Sequence, residues 1–193
     1  MTDHIEHFRA RAADYDRIFD DASWRPQLEV IEAALDAAPL RGSCVEFGAG
    51  TGWWTARYAA RVDDVTLLDA SPEMLELARA RLGASATYEV TDLSTWVAPR
   101  RWDSAVAINF LEHLDDEALP ALFGAVDGVV FIAEAARGEG HAHGDAQPRR
   151  RSPDEYAALL AEFGFRCDVV NREHVFVVTA VRLYGAKIDF ATP

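Results

Sequence analysis

Cysteine is scarce in this chain: two residues in 193, Cys44 and Cys167. They stand far apart in apolar stretches, with no CxxC partner and no Cys/His spacing that suits zinc. That argues against a disulfide framework or a structural metal, and both thiols read as buried and reduced. Long apolar runs are lacking as well. No uncharged stretch approaches a membrane span, and Met1–Asp16 mixes acids with Arg9 and Arg11 where an apolar leader would be. The expectation is a cytoplasmic protein with no membrane partner. Positive charge is short: 32 acidic residues against 19 basic ones give a formal charge of −13. Such a surface repels phosphate backbones, so general nucleic-acid binding is disfavoured and a small molecule is favoured. Solenoid-type repeats and low-complexity tracts are absent too.

What is present is ordinary globular material, 50% hydrophobic and 26% charged. The length predicts a single domain over 1–193, with residues 1–40 as a helical lid and 41–182 as the core. Short apolar runs alternate with helical patterns. The runs are Ser43–Gly48, Val65–Asp69, Ala86–Val90, Asp103–Asn109 and Gly128–Glu134, each the length of a strand buried on both faces of a parallel sheet. Ser71-Pro72-Glu73 opens a helix that Gly83 closes, and Ser152-Pro153-Asp154-Glu155 opens another as a capping box, closed by Gly164. Asp115–Val126 is a weaker helix, interrupted by Pro120 and Gly124. Thr2–Phe19 and Pro26–Ala37 are two further helices. Cys167–Val170 and Val175–Arg182 are separated by too few residues for a crossover, which predicts an antiparallel hairpin at one sheet edge. The fold class is therefore α/β, doubly wound and Rossmann-like.

The chemistry concentrates in Val45-Glu46-Phe47-Gly48-Ala49-Gly50-Thr51-Gly52. A buried strand ends in three alternate glycines, and a helix is expected at once from Trp53-Trp54-Thr55. Without Cβ atoms the backbone turns sharply and a ligand can lie against it, with the new helix's amides facing any anionic group. This is neither a dinucleotide fingerprint, because Trp53 stands where a third-spaced glycine is needed, nor a P-loop, because no Gly-Lys-Ser/Thr follows. The next strand ends in Leu68-Asp69-Ala70, 17 residues past Gly52. A carboxylate there can accept bonds from both hydroxyls of a ribose and repels a 2′-phosphate.

E-F-G-A-G-T-G followed by L-D-A-S-P-E-M-L resembles the first two motifs of class I S-adenosylmethionine (SAM)-dependent methyltransferases of the small-molecule type. Val90-Thr91-Asp92-Leu93 and Trp102–Leu114 resemble two more stations of that family. The resemblance implies a seven-stranded sheet with an antiparallel last strand, SAM as cofactor and S-adenosylhomocysteine (SAH) as product. It implies that Gly48, Ala49, Gly50 and Gly52 pack against the cofactor and that Glu46 orients the loop and the methionine amino end. It further implies that Asp69 holds the ribose, that Ala70 and Met74 lie near the adenine, that Asp92 with Leu93 fixes its edge, and that Asn109 sits beneath the methionine. Tyr15 is the tyrosine expected to close over it. One of Trp53 and Trp54 is expected to pack into the sheet while the other lines the pocket.

His113, in the loop after the fourth strand, is the candidate general base; the alternative is a structural histidine bonded to Glu112 or backbone. Glu134 is a second expected pocket carboxylate. His141 and His143 read as a solvated loop, so no metal is expected, and Arg149-Arg150-Arg151 as a charged surface turn. The expected reaction is methyl transfer to O, N or C of a small-molecule acceptor. A peptide, protein or RNA acceptor, a nicotinamide-dependent enzyme on a related fold, and a SAM-binding protein without transfer remain alternatives.

Overall fold

Strand-length apolar runs become a sheet here because the central ones are apolar on two sides and most are followed by a segment that can cover one of them. A computed structural model of the chain describes residues 2–136 and 149–183. Seven strands form one sheet: β1 (Ser43–Phe47), β2 (Asp64–Asp69), β3 (Thr87–Val90), β4 (Trp102–Ile108), β5 (Val126–Ala135), β6 (Phe165–Asn171) and β7 (Val175–Arg182). Their order is β3-β2-β1-β4-β5-β7-β6, parallel throughout except β7, which runs antiparallel to both β5 and β6. The C-terminal hairpin and the fold class follow the expectation.

Consecutive residues send their side chains to opposite faces. Val45, Phe47, Ala105, Ala107, Val130 and Ile132 join one core, and Cys44, Val106, Ile108, Val129, Phe131 and Ala133 join the other. Helices α2 (Arg25–Ala37), α3 (Thr55–Tyr58) and α4 (Pro72–Leu82) cover the second core, while α5 (Leu119–Gly124) and α6 (Pro153–Glu162) cover the first. The predicted punctuation is present in α4 and α6. The Ser71 hydroxyl accepts from the Met74 amide at 3.2 Å and Gly83 takes φ +58°. Ser152 and Glu155 exchange bonds of 3.2 and 2.6 Å in a capping box.

Several expectations need correction. The N-terminal helix α1 is Thr2–Arg11, and the chain then tightens into a 3-10 segment over Ala12–Asp20. The glycine turn opens only the single turn of α3 at Thr55, followed by a 3-10 turn, because β2 begins at Asp64 and leaves no room for more. Helix α5 starts at Leu119, with Pro120 in its first turn, and Val126 already belongs to β5. β3 is not buried on both faces, since as the edge strand it pairs only with β2. Cys167 is half-buried on the hairpin, whereas Cys44 is fully buried. His141 and His143 lie outside the described residues. Among the described residues, no helix is long and apolar enough to cross a membrane.

Candidate functional site

The carboxyl ends of β1, β2, β3 and β4 surround a cleft. It sits where the strand order reverses, between β1 and β4, the place at which open α/β sheets take ligands. Gly48, Gly50 and Gly52 have φ of +66°, +54° and +69°, which only glycine adopts without strain. The turn hangs on β2: the amides of Gly48 and Ala49 both donate to the Leu68 carbonyl, at 2.9 and 3.1 Å. A Cβ on Gly48 would collide with the Phe110 ring, 2.0 Å away, so that glycine is needed by the protein's own packing as well as by any ligand.

Asp69 is the central carboxylate. One oxygen accepts from the Gly50 amide and the other from the Ser71 amide, both at 2.8 Å. Burial raises its pKa and those amides partly offset the rise. Each oxygen keeps a lone pair for the cleft, which Ala70, Ser71 and Met74 also line. From β3's end come Asp92 and Leu93. Asp92 is exposed and also accepts from the Ser94 amide and hydroxyl at 3.0 and 2.7 Å, so it caps a turn while facing the cleft.

From β4's end come Asn109, Phe110, His113 and Leu114. Asn109 has φ +50°, a strained value for a residue with a side chain, and asparagine is among the few that tolerate it. The His113 ring meets the Phe8 ring edge-on at 5.4 Å, and its Nε2 lies 4.0 Å from a Glu112 oxygen, too far for a hydrogen bond. Tyr15, from the 3-10 segment, also lines the cleft; burial pushes its pKa up to about 12, so its hydroxyl keeps its proton at neutral pH.

A second cleft adjoins the first across Tyr15, Gly48, Gly50, Ile108 and Asn109, which line both. Ala49, Thr51, Trp24, Trp53 and Trp54 contribute to its wall. Trp54 is buried in the core and Trp53 stacks on Phe19 with ring centroids 4.0 Å apart; both border the second cleft and neither lines the first, so the expected split between sheet and cofactor pocket is not found.

Three expected residues stay out of the lining of both clefts. Gly52 faces α4, where a Cβ would come within 3.1 Å of Ala78 and Leu82. Glu46 is buried beneath the turn and accepts from the Thr55 hydroxyl and, at 2.7 Å, from the Tyr58 hydroxyl; burial pushes its pKa up to about 7. It ties β1 to α3 and lines neither cleft. Glu134 is no pocket carboxylate either. It is buried, and one oxygen accepts from the Phe110 and Leu111 amides at 3.2 and 2.7 Å. Burial, with Glu112 nearby, holds its pKa well above the usual carboxylate range. The arginine run is also only partly a surface turn. Arg151 is buried and donates to the carbonyls of Leu111 and Leu114 at 2.9 and 2.7 Å, pinning the loop that carries His113.

A family model described as a methyltransferase domain matches residues 44–130. The chain is 40% identical over 120 residues to trans-aconitate 2-methyltransferase of Methylobacterium radiotolerans, covering 59% of this chain and 45% of that protein. It is 32% identical over 154 residues to ribosomal RNA small subunit methyltransferase A of Anaeromyxobacter sp. (strain K), covering 70% and 53%. The chain thus spans about half the length of these curated relatives. Among solved structures, a DhpI-SAH complex superposes with a TM-score of 0.77 at 27% identity, over 92% of this chain and 94% of that one. Residues 44–130 thus match a methyltransferase domain, and the seven-stranded sheet built around them has the fold of the class I SAM-dependent methyltransferases.

Proposed function

We propose that this protein binds SAM in the first cleft and catalyses transfer of its methyl group to an O, N or C nucleophile of a small molecule, releasing SAH. The observation that carries this reading is Asp69: a carboxylate fixed by two backbone amides, with lone pairs left for two ribose hydroxyls, beside a glycine turn without Cβ atoms. The rest of the cleft fits the same ligand. Gly48 and Gly50 give the close backbone approach, Ala70, Met74 and Leu93 an apolar slot for adenine, and Asp92 an acceptor at its edge. Asn109 and Tyr15 bound the place where the methionine half would lie. When bound, SAM supplies an electrophilic methyl on a cationic sulfur. The chain's own part is to hold the acceptor in line, to exclude water, and to take a proton where the acceptor carries one.

His113 is the group proposed for that proton, since it lines the cleft beside Phe8 and Phe110. His113→Ala is expected to lower turnover by about 100-fold or more while SAH affinity stays near wild type. Equal loss of both would remove His113 from this role. The small acceptor is supported by the similarity to trans-aconitate 2-methyltransferase and by the charge of −13. Titration calorimetry with SAH, with NADH and NADPH in parallel, tests the cofactor. Micromolar binding of SAH alone is the expected result, and nicotinamide binding without SAH would overturn the reading. Radiolabelled SAM in a cell extract then tests the acceptor: label in small products is expected, and label in RNA would transfer the acceptor to the macromolecular class.

A further inference from the structure

We infer that Asp16 is a positioning residue that seats Tyr15 over the junction of the two clefts and thereby sets how long a cofactor stays bound; this rests on the reading of the first cleft as the SAM site. Among the described residues, Tyr15 is one of five that line both clefts, and the one of them contributed by the segment 2–20. Its neighbour Asp16 is tied to two separate parts of the fold. The Thr51 hydroxyl, on the glycine turn, donates to one Asp16 oxygen at 2.6 Å. The Arg81 guanidinium, on α4, donates to the other Asp16 oxygen and also to the Thr51 hydroxyl at 3.0 Å. Asp16, Thr51 and Arg81 therefore close a triangle that locks the segment, the turn and the helix together. On either side, Arg9 pairs with Glu73 on α4 and Phe19 stacks on Trp53.

A ligand entering or leaving the junction has to displace Tyr15, and Tyr15 moves with Asp16. The ties on Asp16 are made by side chains, and the Asp16 and Arg81 side chains are 37% and 29% exposed, so salt can reach the pair. Loosening the triangle opens the junction more often. Dissociation and association then quicken together, because the same opening admits and releases the ligand. A variant that merely damages the cleft quickens dissociation alone.

The experiment is stopped-flow binding of SAH, followed by tryptophan fluorescence, on the wild type, Asp16→Asn and Arg81→Gln. Both variants are expected to release SAH about tenfold faster and to take it up faster as well. Arg81→Lys, which keeps the charge, is expected to recover most of the wild-type residence time. Salt near 1 M, where screening acts within about 3 Å, should quicken release from the wild type and leave the variants nearly unchanged. Unaltered release in both variants, or faster release without faster association, overturns the inference alone. No binding of SAH to the wild type overturns the functional reading and the inference with it.

Discussion

The rim of the sheet and the segment that crosses above it both face the same cleft, yet they are held in place by different means. At the rim, the backbone does the fixing: Leu68 carries two amides of the glycine turn, Asp69 is oriented by two more, and Glu134 takes the amides of Phe110 and Leu111. Across the segment 2–20 the fixing falls to side chains, through Arg9 with Glu73, Asp16 with Thr51 and Arg81, and Phe19 on Trp53. Buried backbone bonds cannot be given up one at a time without leaving an orphaned polar group, so the rim is rigid. Half-exposed ion pairs exchange readily with water, so the segment can release and reseat. A ligand site gains from both, with a fixed floor to orient and a releasable cover to admit.

The contrast can be broken most sharply at Gly48. Gly48→Ala places a Cβ on the Phe110 ring at a positive φ and is expected to cost about 2–5 kcal/mol of stability, read by urea unfolding. Beneath the rim, Glu46 tests how deeply the floor is sealed. Its carboxyl titrates from 4.5 when unfolded to about 7 when folded. Below the lower value both states hold the proton. Between the two, the unfolded chain releases it while the folded one keeps it, so stability falls as pH rises through that window and levels above it. Glu46→Gln should erase a fall on the order of 3 kcal/mol, seen as the difference between wild-type and variant unfolding curves across that range. Asp69→Ala is expected to weaken SAH binding by about 2–3 kcal/mol in calorimetry, the loss of charge-assisted bonds to ribose. Arg9→Ala, an exposed clamp on the segment, should leave the melting temperature almost where it was. A large drop there would erase the distinction between floor and cover.

The same division decides what could be read from the sequence. Glycine spacing, the Asp69 strand end, the Ser71 cap and the capping box at Ser152 are local patterns, and each stands where it was expected. The parallel order and the hairpin followed from run lengths and from the short stretch between β6 and β7. What escaped were contacts between distant residues. Asp16 meets Thr51 across 35 positions and Arg81 across 65, and no periodicity announces such pairs. Arg151, inside a run of three arginines, looks like solvated surface until it is found on the Leu111 and Leu114 carbonyls. Glu134 sits at a strand end, the position that makes a carboxylate look like a ligand contact, but its side chain turns to the backbone of the neighbouring loop. The helix expected after Gly52 was shortened by the approach of β2, a constraint of tertiary spacing that local propensity does not contain.

The antiparallel strand β7 has a consequence for how the chain is made. It inserts between β5 and β6, pairing with Val129–Ala135 on one side and Phe165–Asn171 on the other. During synthesis β5 emerges first and then waits, with one edge unpaired and its side chains almost wholly apolar, while some forty further residues leave the ribosome. Such an edge invites pairing with a neighbouring nascent chain. Strand β7 is thus what converts an aggregation hazard into the interior of the sheet, and the native pairing of β5 waits on its synthesis.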